Sequence, residues 1–158
     1  MVAKTMEGFI RKLREEGYPE YANELRFIVA MSRHREDATQ AIRNIANTLL
    51  THILKYIAMP QSKNRGGWLN EIESYFAYFD THNISFKNRP WYTIEEIEKE
   101  LDSYFIKPGF LRYLKSKLKD YSEKDSKNVL NLVNSRKTLK DLGVELFLGP
   151  ENDLNIRI

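Results

Sequence analysis

The chain contains no cysteine. Disulfides, thiol nucleophiles and thiolate metal sites are thereby excluded, and a reducing, cytoplasmic setting is expected. Histidine is scarce too: His34, His52 and His82 stand far apart. None belongs to a His-x-x-x-His pair or a His-Glu-x-x-His helix, so neither a metal nor a cofactor is expected. The isolated pair Gly66-Gly67 lacks the further glycines and the Lys-Ser/Thr of a phosphate loop. There is no Gly-x-Ser-x-Gly elbow. No apolar run approaches the length needed to span a bilayer, and the polar start from Lys4 onward has no signal-type apolar core. No membrane contact is expected. Low-complexity stretches and interdomain linkers are also missing.

What is present suits one compact domain over residues 1–158, with 42% hydrophobic and 12% aromatic residues. The net charge is only +3, but it is unevenly placed. Residues 66–106 hold 3 basic and 8 acidic side chains, whereas residues 107–141 hold 10 and 4. Such a chain lacks the field of a polycation yet carries a locally basic segment.

Residues 37–79 form the centre of the pattern. Ala38, Ala41, Ile42, Ile45, Leu49, Ile53 and Tyr56 are spaced by threes and fours, one face of a helix. A second stripe, Ala46, Leu50, Leu54 and Ile57, widens the apolar arc toward the C-terminal end. Gln40, Arg43, Asn44, Asn47, Thr51 and Lys55 fall on the face expected to meet solvent. Asp37 with Gln40 reads as the N-terminal cap, and Pro60 ends the helix. After a basic loop over residues 61–67, Trp68, Leu69, Ile72, Tyr75, Phe76 and Phe79 repeat at helical spacing. A loop this short makes the two helices antiparallel neighbours, with Trp68 near Tyr56 and His52.

Leu50, His52, Leu54, Lys55, Tyr56, Pro60, Trp68 and Ile72 together resemble the core of a family of small all-helical bacterial proteins, common in cyanobacteria and catalogued as a domain of unknown function. His52 to Pro60 and Trp68 to Ile72 keep that family's spacings. The loop is one residue longer here, and Tyr56 stands where the family has Trp. The resemblance covers about 40 residues, from the helix before Leu50 to Ile72. It implies a helical fold and no activity.

Elsewhere, Met6, Phe9, Ile10 and Leu13 stripe a first helix that Gly17 closes. Pro19 opens a second helix with Tyr21, Leu25, Ile28 and Val29 inward. Residues 32–37 are charged and lack a period; they are read as a bend into the long helix, with continuation through them as the alternative. Residues 84–92 read as an extended crossing segment, with Phe86, Trp91 and Tyr92 pinned on the core. Thr93 and Glu96 make a capping box, followed by Ile94, Ile97, Leu101, Tyr104 and Phe105. Phe110, Leu111, Leu114 and Leu118 stripe the next helix. Val129, Leu132, Val133 and Leu139 carry the last one to Gly143. Residues 144–148 and 154–158 are β-leaning runs around a turn-rich spacer, a C-terminal hairpin. The expected fold is all-α, with about six helices around a central antiparallel helical hairpin and this small β-hairpin.

Three functions follow from these residues. With no catalytic signature, the leading one is a non-enzymatic interaction or accessory protein, with a protein partner or a second copy. The second is a nucleic-acid-binding subunit using residues 107–140: Arg112, Lys115 and Lys119 share a face, Lys117 flanks it, and Lys124, Lys127, Arg136 and Lys137 follow. A solvated lysine-rich helix is the commoner source of such a face. The third is an enzyme with a site assembled around His52, with Tyr56 and Arg65; Lys55 and Trp68 complete the candidates at the hairpin junction. A lone His has no nucleophile beside it in sequence, and a structural histidine is its ordinary role. Helical ribonucleases of toxin pairs share an Arg followed four to six residues later by His; Arg26–His34 and Arg43–His52 miss that spacing.

Overall fold

The computed structural model describes residues 5–84, 90–135 and 138–158, with the side chains of residues 30–33 left aside. Six helices precede one hairpin: α1 (Met6–Glu15), α2 (Pro19–Ala58), α3 (Arg65–His82), α4 (Ile94–Tyr104), α5 (Pro108–Lys117), α6 (Glu123–Ser135), β1 (Glu145–Leu148) and β2 (Leu154–Arg157). The expected all-α fold with its terminal hairpin is the observed one.

The spine is α2, a single helix of 40 residues and hence about 60 Å long. Of the two readings of residues 32–37, the bend does not occur and the helix continues through them. That stretch holds no proline or glycine, and its Arg and Glu are good helix formers, so charge without periodicity breaks nothing. Asp37 is therefore mid-helix and caps no terminus; the helix starts at Pro19, whose missing N–H costs nothing in a first turn.

The C-terminal half of α2 is enclosed. It packs on α3, α4, α5 and α6, and one continuous core runs from Ala41 to Leu154. Leu49, Leu50, Ile53 and Leu54 are fully buried. Both expected stripes are thus used. Thr51 and Lys55 are also buried, at 2% and 7% exposure, contrary to the solvent face expected for them. Helix α5 and the Tyr121 segment cover that side, which the period of α2 alone does not reveal. Helix α3 begins at Arg65, so Gly66 and Gly67 lie in its first turn rather than in the loop.

Among the described elements, α1 accompanies the N-terminal half of α2. Their hairpin closes through Gly17, which takes a positive φ of 90°. Gly17 N–H donates to the Arg14 carbonyl and Tyr18 N–H to the Leu13 carbonyl, a Schellman turn that suits a residue without Cβ. Ile10 and Ala22 are buried between the two helices, yet neither belongs to the continuous core. Tyr21 and Ile28, expected inward, are 63% and 57% exposed. Met6, Phe9 and Tyr18 are exposed as well. An apolar stripe specifies a face to be covered; here no element of the described chain covers it.

The capping box is present: Glu96 N–H donates to Thr93 Oγ1 at 3.2 Å, and the Glu96 carboxylate accepts from Thr93 N–H at 3.3 Å. Buried Asn83 holds the crossing segment, pairing through its side chain with both backbone groups of Tyr92 at 2.9 and 3.1 Å. Trp91 and Tyr92 are half-buried, and Tyr92 packs on the core; Phe86 lies outside the described residues. Helix α6 is described as far as Ser135, Leu139 lies in the turns before the hairpin, and Gly143 repeats the positive φ of Gly17.

The β-hairpin pairs Glu145 with Arg157 and Leu148 with Leu154. A lone ribbon of this length is marginal. This one packs β1 on α4 and β2 on α3, burying Leu146 and Leu154. Two carboxylates fasten the C-terminal region: Asp80 accepts from Leu154 N–H at 2.7 Å and Asp102 from Leu139 N–H at 2.8 Å.

Candidate functional site

Helix α2 presents Thr48, Thr51, His52 and Lys55 along one strip, at helical spacing. Helix α3 flanks it with Trp68, Glu71 and Tyr75, and α5 flanks it with Tyr113 and Lys117. Tyr121, just past α5, closes the end nearest Lys55. Trp68 is buried, while Glu71 and Lys117 are exposed; His52, Tyr75, Tyr113 and Tyr121 are half-buried. The strip therefore lies just under the surface.

His52 Nε2 contacts the Glu71 carboxylate. The ring stacks on Tyr75 at 6.1 Å between centroids. Burial pushes the His52 pKa below its usual value, the Lys55 charge adds to that, and Glu71 opposes it less strongly. The imidazole is accordingly neutral at neutral pH. Its Nε2–H donates to Glu71, which fixes the tautomer and leaves Nδ1 as a buried acceptor with no partner among the described residues.

Lys55 is the more unusual group. Its ammonium lies 4.9 Å from the Trp68 ring centroid and 5.4 Å from that of Tyr121. The Tyr121 hydroxyl accepts from it at 3.4 Å, a long bond. Among the described residues it forms no ion pair. Burial lowers its pKa, with Glu71 and Tyr113 pulling it back and Lys117 adding to the lowering. The hydroxyls of Thr48 and Tyr113 meet at 3.0 Å. Burial and the Glu71 and Tyr113 charges raise the Tyr75 pKa, so its phenol keeps its proton.

The other two junction residues pair with each other. The Arg65 guanidinium covers the Tyr56 ring at 3.9 Å, and its Nε–H donates to the Tyr56 carbonyl at 3.1 Å. They close the α2–α3 turn and stay apart from the strip. Of the five junction candidates, His52, Lys55 and Trp68 thus share one site. Of the basic candidates, Lys117 joins them: its ammonium lies 5.3 Å from the Tyr113 ring, and its charge reaches Lys55. Arg112 and Lys115 are exposed on α5, and Lys119 is exposed just past its end. Residues 136 and 137 lie outside the described residues.

Glu71, Tyr75, Tyr113 and Tyr121 were not among the candidates. The α3 spacing Trp68–Glu71–Tyr75 carried a signal, since it puts all three on the side that a short loop turns toward His52. Nothing local marked Tyr113 or Tyr121, which reach α2 across more than 60 residues of chain.

A cleft of about 900 Å³ opens elsewhere, between the end of α3, residues 90–97 and the hairpin turn. Asp80, Asn83, Tyr92, Glu95, Leu148 and Asp153 line it. Its innermost acid, Asp80, is already engaged by the backbone of Leu154. Within the described residues no three His, Asp or Glu side chains converge as metal ligands, and no helix is long and apolar enough to cross a membrane. Comparison of the chain with protein-family models, with curated proteins and with solved structures gives no match.

Proposed function

We propose that this chain is a non-enzymatic interaction protein that assembles through its N-terminal arm, α1 with the first half of α2, on the arm of a second copy. One observation carries the reading. The arm leaves Met6, Phe9, Tyr18, Tyr21 and Ile28 exposed on two helices that pack on each other. Two amphipathic helices make one layer, and a stable bundle needs a second layer. Charge favours a like partner. Residues 5–29 hold 4 basic and 5 acidic side chains, intermixed, so the surface matches its own copy and lacks the single-signed field that would select a charged partner. The length of α2 also holds the arm away from the body, which leaves room for a second arm in a two-fold arrangement.

Sedimentation velocity over a concentration series tests this. The wild-type chain is expected to dimerise reversibly, and a Tyr21→Glu, Ile28→Glu double variant to remain monomeric with an unchanged thermal transition of the body. A wild-type chain that stays monomeric throughout would overturn the reading. The hairpin is the poorer docking element, because Leu146 and Leu154 are already committed to the core.

The nucleic-acid alternative retains one supporting feature, the exposure of Arg112, Lys115, Lys117 and Lys119. It requires salt-dependent, sequence-poor binding that charge reversal at Arg112, Lys115 and Lys119 abolishes.

A further inference from the structure

We propose that the strip of α2 between α3 and α5 is a binding site for a phosphate-type oxyanion, seated between Lys55 and Lys117. The starting point is a cation without an anion. Lys55 is 7% exposed and has no carboxylate of its own among the described residues. Glu71, the acid whose charge reaches it, is engaged by Nε2 of His52. The rings of Trp68 and Tyr121 attract the ammonium through their faces, but a ring face supplies no lone pair for the N–H groups. An ammonium has three donors. The one recorded acceptor, Tyr121, is distant at 3.4 Å, so donor capacity remains.

The surroundings supply more donors of the same kind. Lys117 is exposed beside Tyr113, and the hydroxyls of Tyr75, Tyr113 and Tyr121 belong to the same cluster. Burial holds the Tyr75 and Tyr121 phenols protonated, so each can donate. His52 is neutral and adds no charge.

The donor set also selects among anions. A carboxylate is best met by the planar fork of an arginine. The nearby Arg65 is spent on Tyr56. Two lysines and several hydroxyls on one strip suit a compact oxyanion with several acceptor oxygens. That ligand is free phosphate or the phosphoryl group of a small phosphomonoester. A nucleic-acid strand fits less well. Arg112 and Lys115 would have to share its backbone, and at 100° per residue they lie on a different side of α5 from Tyr113 and Lys117.

A structural lysine and a ligand lysine respond differently to replacement. A buried charge without a partner costs stability, and an apolar side chain of similar length removes that cost. If Lys55 serves only the fold through its ring contacts, Lys55→Met destabilises.

The test titrates the full-length, isotope-labelled chain with inorganic phosphate and separately with a nucleoside monophosphate, at low ionic strength. Amide and Trp68 indole resonances are followed, with chloride as the control. Saturable shifts confined to residues 48–55, Trp68 and residues 113–121 are expected with at least one ligand. Saturation by phosphate alone identifies free phosphate, and a preference for the nucleotide identifies a phosphomonoester. Lys55→Met and Lys117→Met are each expected to weaken binding at least tenfold, and Arg112→Met to leave it unchanged. Lys55→Met is also expected to raise Tm without ligand. Exposed Lys117 keeps the test decisive should Lys55→Met fail to fold. No saturable shift with either ligand would overturn the proposal. So would folded Lys55→Met and Lys117→Met variants that bind like the wild type.

Discussion

The two halves of α2 are one continuous helix with two different fates. From Ala41 onward it is packed on four helices, and its apolar residues through Leu54 are sealed. Before residue 30 its neighbour among the described elements is α1, and apolar side chains of the same size stand half in water. Helix propensity does not separate the halves. Neighbours do, and most helical stability in a protein comes from a packed face rather than from propensity. The body is therefore expected to unfold as one cooperative unit, and the arm to open locally at much lower cost when no second copy covers it.

Core truncation gives the largest contrast. Leu50→Ala in the body is expected to cost about 2–5 kcal/mol, since the fully buried site leaves a cavity. Ile10→Ala removes the main buried side chain of α1, yet it should leave the principal thermal transition in place and release only the arm. Calorimetry with circular dichroism separates these outcomes. Equal losses of Tm would show that arm and body are one unit.

A finer contrast uses one motif that occurs in both regions. Gly17 and Gly143 each have positive φ, at 90° and 79°, and neither has a neighbour that a Cβ would meet. Alanine at either is expected to cost about 1–2 kcal/mol through backbone strain alone. Only Gly143→Ala should lower the body's Tm, by about 2–8 °C, because it sits where the chain turns from Leu139 into β1. If Gly17→Ala shifts the main transition as much, the arm is part of the body's cooperative unit.

Removal of the α4 cap is smaller still. Thr93→Ala deletes a capping box whose bonds are all on the surface, and a loss of about 1 kcal/mol is expected in denaturant unfolding.

The subtlest effect is pH dependence within the body. Burial raises the pKa of Asp80 and of Asp102 in the folded state, and the bonds from Leu154 and Leu139 oppose this only in part. The folded state then binds more protons than the unfolded one. The contribution of these acids is fullest below the usual carboxylate pKa and is lost as pH rises through their raised folded values. His52 has the opposite sign. Its folded pKa is lowered, so its contribution is present above the usual histidine value and lost as pH falls through the folded one. Tm profiles of Asp80→Asn and His52→Gln should each flatten the slope in the corresponding window. A wild-type slope unchanged in both variants would contradict the assignments.

The legible part of this fold is what local rules govern. The stripes of residues 38–57, the Thr93–Glu96 box, the Gly17 stop and the terminal hairpin stand where their spacing puts them. What depends on a distant neighbour was hidden. Lys55 and Thr51 fell on a polar face of α2, and α5, Tyr121 and the Trp68 ring of α3 turn that face inward. Tyr21 and Ile28 failed in the opposite sense, since a stripe records the need for a partner and not its presence. Charge without periodicity at residues 32–37 suggested a break, although nothing there breaks a helix. For the site, His52, Lys55 and Trp68 could be grouped through the short α2–α3 loop, whereas Tyr113 and Lys117 could not.

Amide hydrogen exchange at two protein concentrations, well below and well above the association midpoint, tests the central claim most directly. The account predicts that residues 41–57 exchange slowly and identically at both concentrations. Residues 6–29 should exchange fast when dilute and become protected when concentrated, as a second arm covers them. Arm amides that match the body's protection in dilute solution, or that stay unprotected at high concentration, would contradict it.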